Sequence, residues 1–167
     1  MGTLILAVTS LLLYSVGTAL QALSFRGRVH TSIAITTLIG LLALTAHGLL
    51  IAQTVHREGG FDFGFFQSSV LISWLIAFLL LALNLRKPVQ SLFLGVYPLA
   101  ALTIIMGLIT HSPSRLVPED HYGMLSHIAL SVTAYSLFTL AAIQAVLLYL
   151  QNRQLKQNYK SVLIRNL

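Results

Sequence analysis

Three polar side chains follow one another at helical spacing within the last long apolar segment of the chain. His127, Ser131 and Tyr135 are each four residues apart, so in a helix they share one face. An imidazole can ligate a metal or haem iron, and hydroxyl groups beside it can orient the ring or bind a polar group of a ligand. Because an ionisable residue within an apolar span is costly, this stripe predicts a functional site. It should face a bundle, a ligand or a polar partner rather than lipid.

Four of the other five histidines are expected on the same side of a membrane as this stripe. His56, His111 and His121 fall at the ends of apolar segments or in the loops between them, where a histidine is often simply tolerated. His47 falls about two turns inside its segment, where it either ligates a cofactor or forms a hydrogen bond between helices. His30 falls in a loop on the opposite side.

The pattern of the histidines favours haem over zinc without being specific for haem. Catalytic zinc usually has three protein ligands, often at H-x-x-x-H or H-E-x-x-H spacing, and the sequence contains neither pattern. Haem needs one or two axial histidines and an apolar pocket. The aromatic residues that either wall such a pocket or form a membrane-boundary belt are Trp74, Tyr97, Tyr122, Tyr135 and those of segment 61–66.

The composition is that of an integral membrane protein. Of 167 residues, 56% are hydrophobic and 8% are charged, whereas a soluble domain carries about 25% charged residues. The chain has no cysteine, which excludes disulfides, thiolate catalysis and covalent attachment of haem through a C-x-x-C-H motif. The net charge of +6 lies in loops and the C-terminal tail, without a basic stripe interleaved with aromatic residues, so nucleic-acid binding is not predicted.

Five apolar segments position the candidate residues, and each is close to the roughly 20 residues that cross a hydrocarbon core. We therefore predict an all-α fold, a polytopic transmembrane helical bundle that forms a single domain. The predicted spans cover residues 3–23, 33–54, 68–85, 89–109 and 123–150. The polar and basic tail after Leu150 predicts a helix extension and a natural protein that continues beyond Leu167.

The distribution of charge predicts the orientation of the bundle. Basic residues on one side are Arg26, Arg28, Arg86, Lys87, Arg153, Lys156, Lys160 and Arg165, which are eight of the ten in the chain. The loops of the other side contain all four acids. The positive-inside rule therefore predicts an outer N-terminus and a cytoplasmic C-terminus. On the outer side, the glycine-rich and aromatic segment 58–66 is expected to be re-entrant or to lie at the headgroups.

The motifs now assembled resemble those of a known family. Residues 127–136, with the pattern H-x-x-x-S-x-x-x-Y, resemble a helix of the cytochrome c assembly protein family, the haem-handling membrane proteins of the CcsA, ResC and CcmC types. Residues 59–74 resemble the outer loop and following helix of the CcsA branch. Segments 85–89, 97–101 and 144–156 resemble the YpjD-type inner-membrane branch more closely. The resemblance covers most of the chain, which corresponds to an N-terminal portion of the family's length.

The resemblance implies haem handling at the outer face of a bacterial inner (plasma) membrane. It makes His127 an axial ligand of the haem iron. The other residues predicted to contact or support the cofactor are His47, His121, Ser131, Tyr135 and Trp74. It also implies a membrane or periplasmic assembly partner that receives haem, so a carrier is predicted rather than an enzyme with its own substrate.

An alternative is a non-enzymatic accessory or transporter-associated subunit of the same fold that has lost haem. This alternative follows from the absence of the tryptophan-rich outer loop of the family, since Trp74 is the only tryptophan in the chain. An intramembrane hydrolase ranks last, because the predicted spans contain no Ser/His/Asp set and no paired carboxylates.

Overall fold

Five long helices make up most of the molecule. The computed structural model describes residues 1–28, 32–86, 89–110 and 113–165, with the backbone alone for 157–165. The helices are α1 (Gly2–Phe25), α2 (Ile33–Val55), α3 (Phe65–Asn84), α4 (Phe93–Ile109) and α5 (Tyr122–Arg165), and a 3₁₀ turn at Gln90–Leu92 leads into α4. Each helix is long and apolar enough to cross a membrane, which confirms the predicted all-α bundle of five spans. His30 and His111 lie outside the described residues.

Helices α1 to α4 form a closed four-helix bundle, and α5 packs on its outside. Helix α1 contacts α2 and α4, and α3 contacts the same two helices from the other side. Helix α5 lies mainly against α3, with a smaller contact to α4. Only 11% of the apolar part of α5 is buried, compared with 22–39% in the other four helices. Most of the α5 surface is therefore free of contacts with the bundle.

Tyr97 of α4 fills the centre of the four-helix bundle. Its ring packs against the rings of Tyr14 and Phe93, at centroid distances of 5.2 and 4.9 Å. Two glycines make room for it. A Cβ at Gly17 would lie 2.6 Å from the Tyr97 ring, and a Cβ at Gly40 would lie 2.7 Å from its hydroxyl. The bundle closes tightly because these two positions of α1 and α2 have no side chain.

Several hydroxyl side chains within the apolar helices donate hydrogen bonds to backbone carbonyls of their own helix. Ser10, Thr18 and Thr133 each donate to the carbonyl four residues earlier, at 2.8 Å in every case. This local bond lets a serine or threonine lie in a span without an unpaired donor in hydrocarbon. At the start of α2 the Ser32 side chain accepts the Ile35 N–H at 3.2 Å, as an N-cap does.

A small antiparallel sheet covers one end of the bundle. Strand β1 (His56–Arg57) pairs with β2 (Gly60–Asp62), and β2 pairs with β3 (Leu116–Val117). The hairpin turn relies on Gly59 and Gly60, whose φ angles of +95° and +143° favour glycine. The segment 58–66 is a hairpin followed by the start of α3, and its position at the headgroups stays a prediction. We call this end the sheet end. The opposite end, where Arg26, Arg86 and Arg153 lie, is the basic end.

Candidate functional site

A groove between α5, α3 and the sheet contains the predicted polar stripe. Its volume is about 310 Å³, and His127, Ser131 and Tyr135 all line it. The remaining lining residues are Phe63, Ser68, Ile72, Arg115, Val117, Met124, Ile128 and Val132. The structure thus brings together three of the six predicted site residues. They lie beside α3 on the outside of the four-helix bundle, and we call this feature the α5 groove.

The α5 groove is open to the surroundings along one side. Tyr135 is 61% exposed and His127 is exposed as well, whereas Ser131 is half-buried. Beside the groove, α5 is joined to α3 by Ser136, a fully buried residue whose hydroxyl lies 2.7 Å from the Val132 carbonyl and 3.3 Å from the Ile72 carbonyl of α3. Because the groove is open along one side, a ligand larger than its volume can lie partly in it and extend beyond it. The accessible imidazole of His127 lies at the edge of the groove.

Arg115 brings a positive charge to the sheet side of the groove. Its backbone N–H donates to Asp62 Oδ1 at 3.0 Å, and the Gly64 N–H donates to the same oxygen at 2.9 Å. The Arg115 carbonyl accepts the Phe63 N–H at 3.0 Å. Asp62 therefore holds the segment before β3 against β2. Through this contact Asp62 acts as a positioning residue for Arg115.

Asp62 is buried, yet its environment favours the charged form. Burial alone would raise the pKa of this carboxyl. Hydrogen bonds to the carboxylate and a nearby positive charge outweigh burial, so the pKa lies below its usual value. The groups responsible are the amides of Gly64 and Arg115, the side chain of Ser114 and the charge of Arg57.

Acidic pH is expected to weaken the sheet end. A carboxyl with a depressed folded-state pKa contributes stability above its unfolded pKa of about 3.9, and this contribution is lost as the pH falls through the lower folded value. Asp62 is the one buried acid of the four, since Glu58, Glu119 and Asp120 are exposed. In thermal unfolding of the detergent-solubilised protein, Asp62→Asn should melt below wild type at pH 7. The two curves should converge below about pH 4. A difference in Tm that stayed constant down to pH 3 would contradict this role.

His47 lies in the four-helix core rather than in the α5 groove. It is fully buried, and its Nδ1 is 3.1 Å from the hydroxyl oxygen of Tyr14. Its Nε2 has no hydrogen-bond partner among the described residues. The carbonyl of Val70 is close to the ring but outside hydrogen-bonding geometry, and it already accepts the Ser73 hydroxyl at 2.9 Å. His47 therefore joins α2 to α1.

Trp74 joins α3 to α2 instead of lining the groove. Its indole N–H donates to the Leu44 carbonyl at 3.0 Å, and its ring stacks on Phe78 at a centroid distance of 5.9 Å. Gly48 permits this contact, because a Cβ there would lie 3.1 Å from the indole nitrogen. The only tryptophan of the chain thus has a clear packing role.

The remaining described histidines lie at the surface of the sheet end. His121 Nδ1 is 3.5 Å from Asp120 Oδ1, and His56 Nδ1 is 3.8 Å from Glu119 Oε1. All four side chains are more than half exposed, so each pair contributes at most about 1 kcal/mol to stability. Within the described residues, His, Cys, Asp and Glu side chains form no group of three or more that would hold a metal ion.

A larger cavity of about 1020 Å³ opens at the sheet end of the four-helix bundle. Its lining mixes acids, bases and amides, including Arg57, Glu58 and Gln67, and it contains none of the six predicted site residues. Charges of both signs specify no ligand class there. The larger cavity also has an imidazole, His56, and an arginine, Arg57, but the acids Glu58 and Asp62 line it as well. We assign the site to the smaller α5 groove because His127, an apolar wall and Arg115 converge there without an acidic side chain.

Sequence reasoning did not single out Asp62 or Arg115. They are 53 positions apart and meet only because β2 pairs with β3, with Asp62 opposite Leu116. The available signal was the sequence Asp62-Phe63-Gly64, because an aspartate often accepts the N–H two residues later in a turn. That signal predicts the turn but gives no information on the distant arginine.

Comparison with known proteins gives one match. The family model described as Cytochrome C assembly protein matches residues 35–166 of the chain. The match begins in α2 and includes every residue that lines the α5 groove. No curated protein and no solved structure matches the chain.

Proposed function

Because the chain belongs to the cytochrome c assembly protein family and is a multi-pass membrane protein, we propose that its α5 groove holds haem and presents it to an assembly partner. The family itself gives the chain a membrane role in cytochrome c biogenesis. The observation that carries the proposal is the convergence of His127, an apolar wall and Arg115 on one groove. These three groups match the chemistry of haem, since its iron binds imidazole, its ring is apolar and its propionates are anionic.

Each residue of the groove has a distinct role in this proposal. His127 supplies an axial ligand through its accessible imidazole. Ser131 and Tyr135, on the same face of α5, hydrogen-bond the imidazole or a polar edge of the ligand. Phe63 and Ile72, in the wall of the groove, shield the haem macrocycle from water. Bound haem supplies the iron and macrocycle that a c-type cytochrome later uses, and the chain's own contribution is to hold and orient it.

We further propose that the groove faces the outer side of a bacterial inner membrane. The charge asymmetry supports this orientation, because the sheet end carries all four acids, whereas the described basic residues Arg26, Arg28, Arg86, Arg153 and Lys156 belong to the basic end. The YpjD-type branch remains our proposal for the nearest relatives, on the basis of segments 85–89, 97–101 and 144–156. His47 and Trp74 then support the bundle that carries the groove. His121 does not line the groove, and a contact between His121 and the ligand stays a proposal.

The role of Arg115 can be tested with a modified ligand. Arg115→Gln removes the charge that would pair with a propionate, and because Arg115 is exposed we expect haem affinity to fall only about two- to five-fold. Haem dimethyl ester has no anionic propionates, so its affinity should be the same for wild type and variant. Arg28→Gln, at an exposed arginine of the opposite end of the bundle, is the control and should leave both titrations unchanged. An equal loss of affinity for haem and for its dimethyl ester would show that Arg115 does not pair with the propionates.

A second candidate is an accessory subunit of the same fold that does not bind haem. The observation that favours it is the position of Trp74 in the α2–α3 interface, because the α5 groove then has no indole in its wall. In that case His127 would hydrogen-bond a neighbouring helix of a partner. Its replacement by alanine would then lower the Tm of the assembled complex without altering any haem content.

A further inference from the structure

A second groove lies at the basic end, far along α5 from His127. It runs between the end of α1, the start of α4 and the later part of α5, and its volume is about 210 Å³. Four apolar residues wall it: Phe25, Leu94, Leu147 and Leu150. Its rim is polar and consists of Ser91, Gln151 and Gln154. We call it the basic-end groove. Its apolar wall and polar rim match the boundary between hydrocarbon and headgroups.

The charges around the basic-end groove all have one sign. Arg26 follows the wall residue Phe25 directly, and Arg153 lies in the same turn of α5 as the rim residue Gln154, about 100° to the side of it. Arg86, just after α3, and Lys156 add to the same end of the bundle, and all four side chains are exposed. The four acids of the chain belong to the sheet end. No side-chain carboxylate of the chain therefore neutralises these cations.

We infer that the basic-end groove binds one anionic phospholipid. An acyl chain would lie along Phe25, Leu94 and Leu147, and the phosphate would meet Arg26 and Arg153 at the rim. Basic residues near a membrane surface attract anionic lipid by about five-fold in affinity each. A zwitterionic lipid would fill the same wall but would not neutralise the cations, so the charge pattern selects an anionic headgroup.

A lipid in this position would also stabilise the packing of α5 on the four-helix bundle. Helix α5 packs mainly on α3, and little of its apolar surface is buried. The basic-end groove is lined by both α5 and α1, so one lipid would connect two helices that are on opposite sides of the groove. This site is separate from the α5 groove, and the inference stands whether or not haem binds.

Native mass spectrometry of the detergent-solubilised protein tests the inference. With dioleoyl phosphatidylglycerol added, we expect one retained lipid per chain. Dioleoyl phosphatidylcholine and inorganic phosphate, added separately at the same concentration, should not be retained. Retention of phosphatidylcholine to the same extent would overturn the charge selectivity. Retention of inorganic phosphate alone would mean an anion site without a lipid site.

Two variants separate charge from shape. Arg26→Gln with Arg153→Gln should lower phosphatidylglycerol affinity about 25-fold, as two independent five-fold losses. Gln151→Trp fills the groove from an exposed position without changing charge, and it should also abolish retention. Arg57→Gln at the sheet end is the control and should bind as wild type does. If Gln151→Trp retained the lipid normally, the groove would not be the site.

Discussion

The His127→Gln variant should lose its haem absorption while it remains folded in the membrane. A carboxamide still donates and accepts hydrogen bonds, so a purely structural histidine would tolerate the change. It is a poor ligand for haem iron, which imidazole binds well. Since His127 is exposed at the rim of the α5 groove, its replacement removes no buried contact. We therefore expect the Soret band to vanish or shift strongly, with the Tm in detergent within about 1 °C of wild type.

His56→Gln is the matched control for this experiment. His56 is an exposed histidine at the same end of the molecule, and it pairs with Glu119 rather than lining the groove. Its spectrum should equal that of wild type, as should the spectrum of His30→Gln. An unchanged Soret band in His127→Gln would remove His127 from the site and direct attention to His47 and His121.

The second large effect is expected in the centre of the four-helix bundle. Gly40→Ala would place a Cβ 2.7 Å from the Tyr97 hydroxyl and 2.8 Å from Leu81 Cδ1. Overpacking of this kind costs about 1–3 kcal/mol, which exceeds the gain of roughly 0.5–1 kcal/mol that alanine brings to a helix. Gly17→Ala should behave alike, since its Cβ would meet the same ring at 2.6 Å. Thermal or denaturant unfolding in detergent measures both losses.

A double mutant identifies the clash as the cause. The Tyr97 hydroxyl is buried without a hydrogen-bond partner among the described residues, so Tyr97→Phe should cost little by itself. Combined with Gly40→Ala it should restore much of the lost stability, because the clashing oxygen is gone. Gly123→Ala is the control, since no described heavy atom lies within 4 Å of its Cβ position. Additive losses in the double mutant would contradict this explanation.

The parts of the structure that depend on local periodicity were predictable from the sequence. Apolar segments of about 20 residues give the five helices, because a hydrocarbon core leaves few other ways to satisfy the backbone. The common face of His127, Ser131 and Tyr135 follows from the four-residue spacing alone, and the structure places all three on one groove. The role of these residues in binding haem stays a prediction.

The parts that depend on contacts between distant segments were not predictable. Strands of two or three residues are too short to show an alternating pattern, so the sheet and its Asp62–Arg115 contact were missed. The sequence showed that His47 was buried but not that it faces Tyr14, because the pairing of α1 with α2 fixes that neighbour. Trp74 was grouped with possible cofactor walls for the same reason.

The absorption spectrum of the purified wild-type protein, produced with haem supplied, tests the central proposal most directly. If the α5 groove holds haem, the protein should show a Soret band whose absorbance rises in proportion to the protein concentration. The band should depend on His127. A well-folded protein that shows no Soret band even with excess haem would contradict the proposal and favour the accessory subunit.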